Sequence, residues 1–229
     1  MLAGCVLVAL VVAWYAGAES PPPAPAPSAG SVRLGPEPGE DLDAYLARLP
    51  HQLPPPGERA LGLVQFDTEL SAADAVAATA GATPVTAVFH VPFDRVQTAL
   101  RFVPLDSGVA PVDALEHART RAWREAEAVA TRTGDGNGAA GADRAAAVAA
   151  AEARVLSSPA CRCLSALLVD ADRAAFDAIA ARPGVRAVHA APPGVTAREV
   201  ALAPLLPAQT ERADPLPDDG PVPPVSATE

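Results

Sequence analysis

Apolar and polar positions in the middle of the chain switch between two periods, and the switch occurs twice. Residues 164–169 form an apolar run (Leu-Ser-Ala-Leu-Leu-Val) that ends at Asp170. From Asp172, a favoured helix N-cap, Ala175, Phe176 and Ile179 share one face, and the pattern stops at Pro183-Gly184. Residues 185–190 (Val-Arg-Ala-Val-His-Ala) then return to alternation. This predicts a strand, a helix and a second strand. The same succession appears earlier: a strand over 61–66, Asp67, a cap at Ser71 with Asp74 three residues on, a helix over 72–80 stopped by Gly81, and a strand over 85–91. Asp67 and Asp170 could be read as an acid–base pair, but Asp commonly ends strands and caps the helices that follow, and that is the reading adopted.

Between the two units, residues 98–105 predict a further strand hairpinned to 85–91, with Pro104 confining it to an edge or ending it. Residues 112–132 carry Leu115, Ala118, Ala122, Ala126 and Val129 along one helical face, and a second helix is expected over 143–156. The Gly-rich turn between them lacks the closing Glu of a calcium loop. The two helices read as a hairpin inserted between the units and dispensable to the sheet. Upstream, Leu42, Tyr45, Leu46 and Leu49 predict a short helix over 41–49 that packs on the domain or on a partner.

The order βαβ-βαβ predicts an α+β domain over 59–194. It is a ferredoxin-like antiparallel sheet of strand order 4-1-3-2 with its helices on one face, carrying a helical insertion at 106–160. The second unit, 164–193, resembles the C-terminal half of the subtilisin-propeptide peptidase inhibitors in its strand, helix, Pro183-Gly184-Val185 stop and final edge strand. Residues 62–91 are similar to the N-terminal half. The resemblance implies a protease partner gripped by the segment after the last strand, here 190–196. In place of the family's acidic residues this chain has Ala190-Ala191-Pro192-Pro193, and proline removes backbone donors that cleft binding uses. Val185, Val188, His189, Ala190, Pro192 and Pro193 thus form the candidate partner edge, either for a protease or for an added strand.

Composition restricts the rest. The 26 prolines of the 229 residues concentrate outside the two units, which leaves 19–58 as a Pro-rich linker and 195–229 as a disordered tail. A net charge of -10 with no basic cluster argues against a nucleic-acid partner. The chain has no lysine, which excludes P-loop and Schiff-base chemistry. Residues 2–18 are uncharged and apolar, with Trp14 and Tyr15 at an interfacial position. Ala16-Gly17-Ala18 offers a signal-peptide cleavage pattern, so 1–18 is read as a retained single-pass anchor or, alternatively, as a cleaved leader of a secreted chain. The domain is expected outside a bacterial cell membrane, facing an unknown envelope partner.

Candidate chemistry is sparse, and no cofactor or metal site is expected. Of the four histidines, His51 and His117 are expected in solvent, and His90 and His189 on opposite edge strands. Cys161 and Cys163 are expected to pair in an oxidising compartment. In an extended chain their Cα atoms would approach the upper limit of ~6.8 Å, predicting a strained and reducible bond. The function expected is a tethered, non-enzymatic protein-interaction module. A peptidase inhibitor is the alternative, and a thiol-redox protein using Cys161 and Cys163 the third reading.

Overall fold

A computed structural model describes residues 32–134 and 140–224, with backbone only at 133, 134 and 140–142. The apolar run at 1–18, the stalk as far as residue 31 and the Asp135-Gly136-Asn137-Gly138 turn lie outside the described residues. No helix among the described residues is long and apolar enough to cross a membrane. In chain order the elements are β1 (Val32–Leu34), α1 (Leu42–Arg48), a 3-10 turn (Leu49–Gln52), β2 (Arg59–Leu70), α2 (Ala72–Ala78), β3 (Thr83–Phe89) and β4 (Arg101–Pro104). There follow α3 (Pro111–Gly134), α4 (Ala140–Ser157), β5 (Leu164–Asp172), α5 (Arg173–Ala180), β6 (Val185–Ala190) and β7 (Val200–Leu202).

Three of the helices start where the cap residues lie. Asp41 accepts from the Ala44 N–H at 2.9 Å, Ser71 from Asp74 at 3.2 Å and Asp172 from Ala175 at 2.8 Å. The protein is mixed α+β, with a five-stranded antiparallel sheet in the order β4-β3-β5-β2-β6 and a parallel pair, β1 with β7. Strands β2 and β5 run through Asp67 and Asp170 instead of ending there: Asp170 is paired with Leu61 on one side and Thr83 on the other, and Asp67, in the irregular stretch of β2, donates its N–H to the Gly184 carbonyl at 3.0 Å. With β4 added outside β3, the strand that leads to His90 is interior and not an edge as expected.

Side chains alternate between two faces. On one, Val64, Phe66, Ala87, Phe89, Leu167 and Val169 meet Ala75 of α2 and Phe176 and Ile179 of α5. Gly62 of β2 makes room for the Phe176 ring: a Cβ there would lie 2.5 Å from Cε1. Contrary to the expectation of a dispensable insertion, Leu115, Ala118 and Ala122 of α3 and Leu156 of α4 are fully buried in this same cluster. A buried ion pair, Arg101 with Glu152 at 2.5 Å, ties α4 to β4, and Glu152 also accepts the Ala99 N–H. The hairpin is core because β4 widens the sheet beyond β3, and α3 and α4 together pack on that part.

On the other face, Leu63, Val88, Ala166 and Leu168 pack beneath Leu34, with Val32, Val200 and Leu202 against them. Segments read as linker and disordered tail supply this cover. Leu42, Tyr45 and Leu49 bury themselves with Ala187 and Leu205, and residues 203–224 continue as an irregular strap. Proline denies this strap ladder bonds of its own but leaves carbonyls and apolar rings for packing. Arg186 donates to the Leu206 and Gln209 carbonyls, and the Leu42 N–H to Glu211.

Gly62→Ala should destabilise the domain by about 1–3 kcal/mol, and Phe176→Leu should recover part of that loss in the double variant, both read by urea denaturation. Replacing 112–156 by a short Gly/Ser turn should abolish cooperative unfolding; a sharp transition in the shortened chain would contradict the packing of α3.

Candidate functional site

Cys161 and Cys163 form a buried disulfide with their Cα atoms 5.5 Å apart. This is well inside the usual range and not near its limit, because the segment turns: the Cys161 N–H donates to the Ser158 carbonyl at 3.1 Å and β5 begins only at Leu164. The reason for expecting a stretched bond is thereby removed.

The candidate partner edge divides into two parts. Strand β6 is terminal in the sheet, but Val188, His189 and Ala190 are buried and Val185 is half-buried, with α1, the 3-10 turn and Leu205 lying against the strand. Pro192 and Pro193 are exposed, as are Gly194, Thr196, Ala197 and Arg198. The exit is not extended. The Val195 N–H turns back to the Pro192 carbonyl at 3.4 Å, and Glu199 donates to Thr196 at 3.0 Å before the chain enters β7.

His189 heads a buried polar relay. Its Nδ1 accepts the Gly35 N–H at 2.8 Å and lies 3.3 Å from the Tyr45 hydroxyl. That hydroxyl accepts from Gln65 Nε2 at 2.8 Å, and Gln65 Oε1 accepts the Leu205 N–H at 2.6 Å. Backbone donors at both ends settle the Gln65 amide orientation and the His189 tautomer. The Leu205 N–H requires Oε1 to face it, so Nε2 faces Tyr45; at the other end the Gly35 N–H takes the single lone pair of Nδ1, so the proton of the neutral His189 ring sits on Nε2, with the Tyr45 hydroxyl at the longer distance. Arg48 stacks 4.7 Å from the Tyr45 ring centroid and pairs with Glu40. Burial, reinforced by the Arg48 cation and opposed by Glu40, pulls the His189 pKa down to about 4, while burial pushes Tyr45 up to about 12.

The other groups do not converge. His90 Nδ1 lies 2.8 Å from Glu69 Oε1, both largely buried. His51 and His117 are exposed, the latter 3.4 Å from Asp106. Asp170 pairs with Arg59 at 3.2 Å and stands opposite Leu61; Asp67 is further along β2, on the order of 20 Å away, so the two carboxylates do not form a pair. Among the described residues no cluster of three or more His, Cys, Asp or Glu could hold a metal. Sequence reasoning missed Tyr45, Gln65, Gly35 and Leu205 as partners of His189, and Glu69 as partner of His90. The available signal was polar: Gln65 interrupts an otherwise apolar stretch of β2.

No family model, no curated protein and no solved structure matches the chain.

The relay sets a pH dependence. Between pH 6.5 and about 4 the unfolded chain binds a proton at His189 that the folded chain refuses, so stability falls as pH falls through that window and is unaffected by this group above it. The loss should approach about 3 kcal/mol, and His189→Gln should flatten that part of the profile when urea denaturation is compared at pH 7 and pH 4.5. An unchanged slope in the variant would mean that other groups cause it.

Proposed function

We propose that this chain is a membrane-tethered, extracytoplasmic module with a ferredoxin-like core that acts by contact with an envelope protein and without catalysis. The observation that carries this reading is the buried Cys161–Cys163 disulfide, a bond that persists in oxidising compartments and is rare in the cytosol. The order β6-β2-β5-β3, with α2 and α5 on one face, supports the ferredoxin-like assignment, β4 being an addition. The apolar run at 1–18 supports the tether.

The polar interior also supports a non-catalytic role. His189 is held by Gly35 and Tyr45, His90 by Glu69 and Glu152 by Arg101, so these groups serve the fold. The contact surface we favour is the exposed exit loop at 192–198, fixed at one end by β6 and at the other by β7. Its turned backbone ranks the tethered peptidase-inhibitor reading second, since a protease cleft takes an extended segment. The thiol-redox reading ranks third because Cys161 and Cys163 are only 7% and 1% exposed, which restricts attack by a thiolate.

A photo-crosslinking residue at Thr196 should trap a discrete protein adduct in intact cells, and one at Glu127, exposed on α3, should not. Adducts from Glu127 alone would move the contact surface to the hairpin.

A further inference from the structure

A hollow of about 390 Å³, partly open to solvent, lies where α3 and α4 meet the approach to β4 and the C-terminal strap. Sites for small molecules commonly span about 300–1,000 Å³. Val129 of α3 and Ala145, Val148 and Ala149 of α4 form its apolar walls. The polar side chains around it are mostly engaged already. Arg144 pairs with Asp218 at 2.9 Å, and Gln97 Nε2 donates to the Leu216 carbonyl at 2.5 Å. Glu152 uses both oxygens, one for the Ala99 N–H and one for Arg101 Nη2, each at 2.5 Å.

Arg101 is the exception. It lines the hollow with its side chain only 7% exposed, and its Nε is the buried side-chain nitrogen that has no hydrogen-bond partner among the described residues. A guanidinium is always protonated, so Nε–H is a donor without an acceptor whatever the pH. A buried donor left unmet is costly, and most such groups in folded proteins find a partner. The nearby charges say what kind. Arg101 is matched by Glu152, with Glu125 4.0 Å from Nη1, and Arg144 is matched by Asp218. An anion would meet carboxylates that already balance both cations, and a cation would find both Glu152 oxygens taken. What is lacking is a neutral acceptor.

We propose that this hollow binds an uncharged molecule with an apolar body and one carbonyl oxygen, the oxygen accepting from Nε of Arg101 and the body packing on Val129, Val148 and the alanines of α4. The donor is held in advance. Glu152 fixes the guanidinium at Nη2 and is itself fixed by the Ala99 N–H, so little is lost in ordering Arg101 when a ligand arrives. Alanine at 145 and 149 leaves open the space that the apolar body fills. The site is independent of any partner met by the loop at 192–198.

Acetophenone and α-methylstyrene are the probes, alike in shape, the second carrying a methylene in place of the carbonyl oxygen. In the full-length chain with ¹⁵N-labelled arginine, acetophenone should shift the Arg101 Nε–H resonance saturably and bind about tenfold more tightly than α-methylstyrene. Arg101→Lys keeps a cation beside Glu152 but removes Nε–H, and should make the two probes equal. Ala145→Trp, at an exposed position of α4, fills the hollow, leaves Arg101 in place and should abolish binding of both. Equal affinities in the wild-type chain, a preference that survives Arg101→Lys, or a resonance that acetophenone leaves unmoved, as when water alone meets the donor, would overturn the proposal. The Ala145→Trp arm keeps the test decisive if Arg101→Lys fails to fold, since probes that still bind there would place their site elsewhere.

Discussion

The second face of the sheet has to be kept dry, and the hydrogen bonds through Gln65 and His189 seat what covers it. Leu63, Val88, Ala166 and Leu168 point away from α2 and α5, and without β1, β7, α1 and the strap they would face water. The covering pieces are short, with β1 and β7 three residues each and α1 seven, so none is stable alone. Leu34, Tyr45 and Leu205 anchor them by burial, but burial does not fix a register. The relay does: Gly35 at the end of β1, Tyr45 on α1 and Leu205 after β7 each meet a fixed atom of β2 or β6. The Gly35 and Leu205 donors are satisfied only with one His189 tautomer and one Gln65 amide orientation, which is how a buried network selects a single arrangement.

From that cover follow the features that matter for function. Once Leu205 is seated, the chain beyond it is directed toward the His90 side, where Leu206, Gln209, Pro215 and Leu216 line an open hollow. At the other end of the same excursion, the stretch between β6 and β7 is pinned at both ends, so the loop at 192–198 is displayed with its two prolines outward. The α3–α4 hairpin is anchored separately, through Leu115, Leu156 and the Arg101–Glu152 pair. The loop, the strap and the hairpin are thus each placed by contacts to one sheet.

The two βαβ units were legible because their signals are local: Ser71 and Asp172 as caps, Gly81 and Pro183-Gly184 as stops, and alternation in 185–190. The apolar run at 164–169 was legible as a strand, but the cover on its second face was not foreseen, since the expected sheet carried helices on one face alone. Of the cover, the helix α1 was legible from the spacing of Leu42, Tyr45, Leu46 and Leu49, and it packs on the domain as one of the two expected choices. The rest was not legible for a physical reason: residues 32–40 and 195–224 are rich in proline and poor in periodicity, and their order comes from bonds to Gln65, His189 and Arg186, partners distant in sequence. The role of the hairpin was hidden similarly, since the face carrying Leu115 and Ala118 reads the same on a removable insertion as on a core helix. His90 and His189 were correctly separated, but Glu69 and Tyr45 could not be assigned to them, because pairing across a sheet and between its two ends depends on register.

The most direct test is amide hydrogen exchange at Gly35 and Leu205, the two backbone donors that close the relay. If the terminal segments are part of the folded domain, both amides should be protected to a degree comparable with Leu63 and Leu168 in the central strands, and Tyr45→Phe should lower the protection of both together. Exchange at the rates of an unstructured peptide, as a linker and a disordered tail would show, would contradict the account.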